Sequence, residues 1–308
     1  MNATSINTRP PRLAFIGAGR AGSALAVGLA EAGHSIVAVH SRTTAHAARL
    51  AASTGAEAVT TAVEAARSAD ITFVTVPDAE IVRVAATIAA TGMALPGCAL
   101  VHCSATNGPE VLAAARLTTA SAGCLHPLQA LVGAPSAALL RGSSFAVEGP
   151  EPLLSRLRDL VSDLGGHVLD LPVRGRALYH AAAVLAGNAP LALLARATTL
   201  LVEAGVDEAS AHRALAALLR GAAANAEIAG PAAALTGPVI RGDSETVARH
   251  LDVLEADPTT RELYRRLALE SLALAGPEGR EAVADVLAGS HRGDIASPAR
   301  VIAHPRVA

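Results

Sequence analysis

Four apolar residues, LAFI at 13–16, run directly into the loop GAGRAG at 17–22, and an Ala- and Leu-rich helical pattern follows at once. No other stretch restricts the fold as strongly. A buried strand that turns within a few residues into a helix opens a βαβ unit. Gly17, Gly19 and Gly22 form G-x-G-x-x-G. The first permits the tight turn, the second lets backbone approach a pyrophosphate, and the third lets helix pack on strand. The free N–H groups of the helix start, at Arg20, Ala21 and Gly22, then face the phosphates, and Arg20 adds positive charge. The alternative is a glycine-rich turn in an Ala-rich chain.

Further short β-like runs lie at 35–39, 71–76, 99–103 and 144–147, with a weak one near 57–60 and a last one at 167–171. Most lack strict polar alternation, as strands covered on both faces do. From residue 173 onward the pattern is helix after helix: near 174–203, 207–229, 244–256, 258–275 and 277–288. Asp207 and Asp243 read as N-caps, and Asp257-Pro258 as an N-cap with proline at the first helical position. The expected architecture is α/β: a doubly wound parallel Rossmann domain (1–172), an all-α domain (173–289) for substrate and dimer contacts, and an aperiodic tail (290–308).

Where the second strand ends, NAD enzymes place an acid for the ribose diol. Here the chain reads His40-Ser41-Arg42-Thr43, with no carboxylate. A guanidinium flanked by two hydroxyls suits a 2′-phosphate, so NADP(H) is expected rather than NAD. Arg42 as a solvated loop residue is the other reading. Val76 and Pro77 end a strand at the carboxyl edge, where ligands bind, and Asp78 reads as the cap of the next helix. Ser104 and Asn107, in VHCSATNG, either touch ribose or nicotinamide or satisfy a turn.

Composition narrows the chemistry. All 25 basic residues are Arg, so no ammonium side chain can act as an acid or form an imine. The net charge is −2 and no basic block appears, which gives no electrostatic footprint for nucleic acid. Three cysteines, Cys98, Cys103 and Cys124, fit reduced thiols in a cytoplasm, and no spacing reads as a metal site. The run 177–195 is nearly long enough to span a bilayer, but it holds His180, Asn188 and Pro190. It is expected as buried helix bent by Pro190 rather than a membrane span.

Carbonyl or imine reduction needs a proton donor with a pKa near working pH, and histidine meets this with little tuning. His180 is the first candidate, with Asn188 eight residues on, near the same helix face, to hold a substrate oxygen. His126, in GCLHPLQ, is the second and is expected in a loop after an apolar run. Each of the three has a structural alternative: a satisfied core histidine, a helix–helix hydrogen bond, and a His-Pro turn. Tyr179 is expected only to pack. In LTGPVIRGD (235–243), Thr236, the N–H of Gly237 and Arg241 are candidates for a substrate carboxylate, with Asn225 facing the same cleft. A local Arg241–Asp243 pair with a helix cap is the competing reading.

GAGRAG, VTVPDAEI, VHCSATNG, CLHPLQAL, YHAAAVLAGN and LTGPVIRGD follow one another in this order. With them the chain resembles bacterial Rossmann-like NAD(P) oxidoreductases that carry a C-terminal helical domain of unknown function, over nearly all of residues 12–275. The wider group is similar to ketopantoate reductase, pyrroline-5-carboxylate reductase and prephenate dehydrogenase. The resemblance implies a cytoplasmic NADPH-dependent reductase of a small carboxylate-bearing ketone or imine, dimeric through its helical domain. It favours ketopantoate as substrate, with an imine reductase or a prephenate-type dehydrogenase as alternatives. Ketopantoate reductases use a lysine on the first long helix of the second domain, and this chain has none. A non-catalytic NADP-binding sensor is the reading from another class.

Overall fold

The computed structural model describes residues 9–92, 95–172, 175–276 and 278–289. The chain separates into two compact units, with the division after Ala189. The sequence expectation divides it at 172/173, one helix earlier. The expected tail, 290–308, lies outside the described residues.

The first unit is built on an eight-stranded sheet: β1 (Leu13–Ile16), β2 (Ile36–His40), β3 (Glu57–Ala58), β4 (Ile71–Val74), β5 (Ala99–His102), β6 (Ser121–Pro127), β7 (Ser144–Glu148) and β8 (His167–Leu169). Their order is β3-β2-β1-β4-β5-β6-β7-β8. Every pairing from β3 to β6 is parallel. β7 runs antiparallel to β6, and β8 runs parallel to β7. The chain fills the β1-β2-β3 side first and then crosses to β4. The reversal leaves a crevice beyond the carboxyl ends of β1 and β4, which is where open α/β sheets bind ligands.

Helices α1 (Arg20–Glu31), α2 (Thr44–Thr54), α3 (Ala62–Ser68), α4 (Asp78–Ala89) and α5 (Leu153–Asp163) cover the sheet, with two 3₁₀ segments at Pro109–Thr118 and Ala134–Leu140. One core cluster joins the sheet to α1, α2 and α5 through Leu25, Leu50 and Leu157. The other joins it to α3 and α4 through Ala65, Ile81 and Ile88. The chain's three phenylalanines, Phe15, Phe73 and Phe145, are all 0% exposed. Phe15 and Phe73 stack at 5.0 Å between ring centroids.

Two expectations are corrected. The segment 121–127 is a strand inside the sheet, so His126 stands on β6 rather than in a loop. Ser, Ala and Gly give it weak strand propensity. It is a strand because β5 and β7 pair with it on either side, and because Gly123 lets α5 approach: a Cβ there would lie 2.9 Å from Leu153. The expected helix 174–203 is two, α6 (Arg176–Gly187) and α7 (Ala189–Glu203). The interruption is Asn188, two residues before Pro190, whose missing N–H breaks the helical ladder. Nor is the 179–188 stretch buried: in α6 only Arg176 and Tyr179 are. Residues 176–203 are long and apolar enough to cross a membrane by length and composition alone, yet Arg176 and Tyr179 pin the start of this run to the sheet.

The second unit continues with α8 (Glu208–Ala229), the short α9 (Pro231–Ala234) and α10 (Pro238–Arg241), then α11 (Ser244–Val253), α12 (Pro258–Ala275) and α13 (Glu281–Ala288). Asp207, Asp243 and Asp257 cap α8, α11 and α12, accepting from the N–H groups of Ser210, Thr246 and Thr260 at 3.0–3.1 Å. A small core of Val239, Val247, Leu251, Leu272, Val283 and Leu287 joins α10 to α13.

Candidate active site

The glycine loop is shaped by contact with the turn that follows β4. Gly17 has φ +112°, and a Cβ there would lie 2.6 Å from the carbonyl oxygen of Thr75. A Cβ on Gly22 would collide with Gly17 O, so α1 packs directly on the turn. Gly19 differs: a Cβ would meet nothing within 4 Å. Its glycine is explained by what approaches from outside. Gly19 is also the N-cap of α1 and provides no side-chain cap, which leaves the helix start to an external anion.

A cavity of about 490 Å³ opens beside this loop, lined by Gly17, Gly19, Ser41, Arg42, Thr43, Val76 and Pro77. Arg20, Ala21, Gly22 and Ser104 do not line it. His46, on α2, and Arg83, on α4, line it as well, and sequence reasoning missed both. Nothing in the motif marks them, because each reaches the cavity from a helix several residues past the strand end. Arg83 donates to Glu80 at 2.6 Å. α2 starts without a side-chain cap at Thr43. At the end of β2 stands His40, with Nδ1 3.3 Å from Val59 O, rather than a carboxylate. Guanidinium, hydroxyls and an uncapped helix start make a donor set that fits a 2′-phosphate, and the glycine cradle fits a pyrophosphate.

A second group of side chains gathers farther along the same sheet edge. His102 is fully buried. Its Nδ1 accepts from Ser104 N–H at 3.1 Å, and its Nε2 donates to Gly108 O at 2.9 Å. Burial lowers its pKa, and both nitrogens are engaged, so it orders the loop after β5. Ser104 donates to Asp78 at 2.7 Å, and Thr106 and Asn107 donate to the same oxygen. Asp78 is therefore not the cap read from the sequence: Pro77 holds that position. The carboxylate ties the β5 loop to α4 instead.

His126 Nδ1 lies 2.6 Å from the hydroxyl of Tyr179, with the rings edge to face at 84°. Burial brings the His126 pKa down to about 4, and the neighbouring His180 and Arg176 push the same way. Burial carries Tyr179 up to about 12. The pair is neutral at pH 7. Beneath it, Arg176 Nη2 meets Glu148 Oε2 at 2.8 Å in a largely buried ion pair, and Nη1 lies 3.9 Å from Cys124 Sγ. Burial raises the Cys124 thiol to about 12, which keeps it protonated and inert. α6 thus contributes Arg176 and Tyr179 inward and leaves His180 exposed. Asn188, at the end of α6, is also exposed.

Residues 12–106 match the family described as NADP oxidoreductase coenzyme F420-dependent, and residues 143–271 match a domain of unknown function, DUF2520. The chain is an NADP-dependent oxidoreductase that joins a Rossmann domain to a DUF2520 domain. The DUF2520 match begins at the antiparallel end of the sheet, so β7, β8 and α6 fall within it. Among solved structures the oxidoreductase is similar to a Bacteroides fragilis protein described as an NADP oxidoreductase (25% identity, TM-score 0.70, covering 85% of this chain and 98% of that one). It is also similar to a Thermotoga maritima protein (25% identity, TM-score 0.66, 86% and 99%). A Plasmodium falciparum pyrroline carboxylate reductase with NADP bound shares the fold (15% identity, TM-score 0.60, 89% and 98%). No curated protein matches the chain.

The remaining predicted residues of the oxidoreductase lie in its second unit. Thr236 and Arg241 are exposed; Thr236 precedes α10 and Arg241 ends it, and Gly237, with φ +100°, caps the start of that helix. Arg241 forms no ion pair among the described residues, and Asp243 caps α11 instead of pairing with it. Asn225 is exposed on α8. No group of three or more His, Cys, Asp or Glu suited to a metal occurs among the described residues.

Proposed function

We propose that this oxidoreductase uses NADPH to reduce the C=N or C=O bond of a small carboxylate-bearing substrate. A cyclic imine of the pyrroline-carboxylate type is the first candidate and ketopantoate the second. The observation that carries the reading is the neutral His126–Tyr179 pair, on the same carboxyl edge of the sheet as the cofactor cradle. NADPH, when bound, supplies a hydride to the substrate carbon. The chain must then provide a proton for the nitrogen or oxygen, and it has no lysine to do so. His126 does not have the pKa near working pH expected of a donor, since burial holds it at about 4. It is proposed to donate as a neutral imidazole backed by the Tyr179 hydroxyl, and the exposed His180 is the proposed group that returns a proton from solvent. Asn188 remains a candidate for holding a substrate oxygen. The exposed Arg241, with Thr236, Gly237 and Asn225, is the proposed carboxylate-recognition set. The fold likeness to a pyrroline carboxylate reductase supports the imine over the ketone.

The working form is proposed to be a homodimer through the helical region. A cytoplasmic setting suits three unpaired cysteines and an NADPH supply.

NADPH consumption with a panel of cyclic imines, ketopantoate and other keto acids tests the reaction. His126→Asn is expected to lower kcat by about 10²- to 10⁴-fold, the usual range for a lost proton donor, with NADPH affinity unchanged. Arg42→Ala is expected to weaken NADPH by about 10- to 100-fold, the worth of a charged hydrogen bond, with little change for NADH. NADPH binding without turnover of any panel member would favour the sensor reading instead.

A further inference from the structure

We propose that Tyr179 fixes the tautomer of His126 and backs it as a proton relay, so that Nε2 carries the proton offered to the substrate. This rests on the reading of His126 as the proton donor. A neutral imidazole has one N–H and one acceptor nitrogen, and the partner of either nitrogen decides which is which. The Tyr179 hydroxyl lies 2.6 Å from Nδ1. A phenol O–H is a strong donor, while its oxygen is a poor acceptor because its lone pair is shared with the ring. Tyr179 therefore donates to Nδ1, and the imidazole proton resides on Nε2.

Two further observations support this arrangement. His126 Nε2 makes no hydrogen bond among the described residues, so its N–H is available outside the pair. Tyr179 is itself held in place: it is buried, and one turn earlier on α6 Arg176 is anchored to Glu148 at 2.8 Å. The titratable and charged groups that face the ring are Arg176 and His180 on α6, Asp78 on α4 and His102 at the end of β5. Burial, with the Arg176 guanidinium nearby, keeps the imidazole neutral, so it can neither donate from both nitrogens nor choose its tautomer by charge. The hydroxyl makes that choice.

The proton count closes. When Nε2 gives its proton to the reduced nitrogen or oxygen, the Tyr179 proton moves to Nδ1. A solvent proton then restores the pair. The histidine never has to become an imidazolium or an imidazolate.

The test uses the full chain labelled with ¹⁵N-histidine, and His126→Asn assigns the resonance. In the native protein at pH 7, His126 is expected as the Nε2–H tautomer. In Tyr179→Phe, which keeps the ring and its packing, the two tautomers are expected to mix. With the substrate found in the panel, Tyr179→Phe should lower kcat by about 10- to 100-fold, as when the group orienting a metal-bound histidine is lost. KM and NADPH affinity should be unchanged. In the His126→Asn background the tyrosine change should have no further effect, because both residues act through one group. A native Nδ1–H tautomer, or a Tyr179→Phe protein with unaltered tautomer and kcat, would overturn the proposal. Normal turnover by His126→Asn would sink the donor reading instead, while the tautomer result, which needs no substrate, would stand separately.

Discussion

The first unit closes its own core, with three phenylalanines at 0% exposure on a sheet covered on both faces. The long helices α7 and α8 of the second unit have one buried residue between them, Ala211. They leave large apolar side chains in the open, among them Ile228 at 86% exposed and Leu218 at 68%. The same Ala- and Leu-rich composition therefore produces two different solutions. In the first unit, strand and helix layers satisfy each other. In the second, α10 to α13 form a small core, and α7 and α8 present faces that only another surface can cover. That contrast is the physical ground on which a homodimer through the helical region is proposed.

Three changes would break or sharpen the contrast. The largest effect is expected from Phe73→Ala. It removes a stacked, fully buried ring and should cost about 3–5 kcal/mol in denaturant unfolding monitored on the first unit. A cost below about 1 kcal/mol would mean the sheet core is less closed than its burial implies.

Acid is expected to act next, and also on the first unit. The ordinary His126 pKa is 6.5, and in the fold it lies at about 4. Below 6.5 the unfolded chain takes up a proton that the native chain refuses, so stability falls as pH drops from 6.5 towards 4. The integrated loss is on the order of 3 kcal/mol from this group at full effect. His102, lowered by burial, adds to it in the same direction. Unfolding curves at pH 7 and pH 4.5 should show the decline, and His126→Gln should flatten it. An equally steep decline in that variant would assign the acid sensitivity elsewhere.

The smallest effect on folding, and the one most specific to the second unit, is expected from Ile228→Asp with Leu218→Asp. Exposed positions alter monomer stability by only about 0.5 kcal/mol. If the proposed dimer forms through these faces, light scattering should nevertheless show the parent as a dimer and the variant as a monomer. A parent that is already monomeric would remove the argument from the exposed faces.

Most of the fold was legible because its signals are local. The G-x-G-x-x-G loop, the apolar runs at 13–16 and 71–76 and the capping aspartates each fix structure within a few residues. β6 was illegible because nothing in SAGCLHP favours a strand except its neighbours in space. That one omission moved His126 from strand to loop. It also hid the Tyr179 contact, which joins residues 53 positions apart in the chain. The buried reading of YHAAAVLAGN failed for the opposite reason. Its composition is that of a core helix, but only the side chains that face the sheet, Arg176 and Tyr179, find cover. Arg83 and His46 were invisible because cavities are lined from several elements at once.

The interruption at Asn188 has a consequence for how such a protein can change over time. Every group proposed for cofactor binding or proton movement precedes it, and every group proposed for the substrate carboxylate follows it. On that proposal, substitutions after the break would alter which molecule is admitted while the reducing apparatus stays as it is. A chain organised this way can acquire new substrates by varying its last third, and a chimera that exchanges only residues 190–289 is the natural way to redirect it.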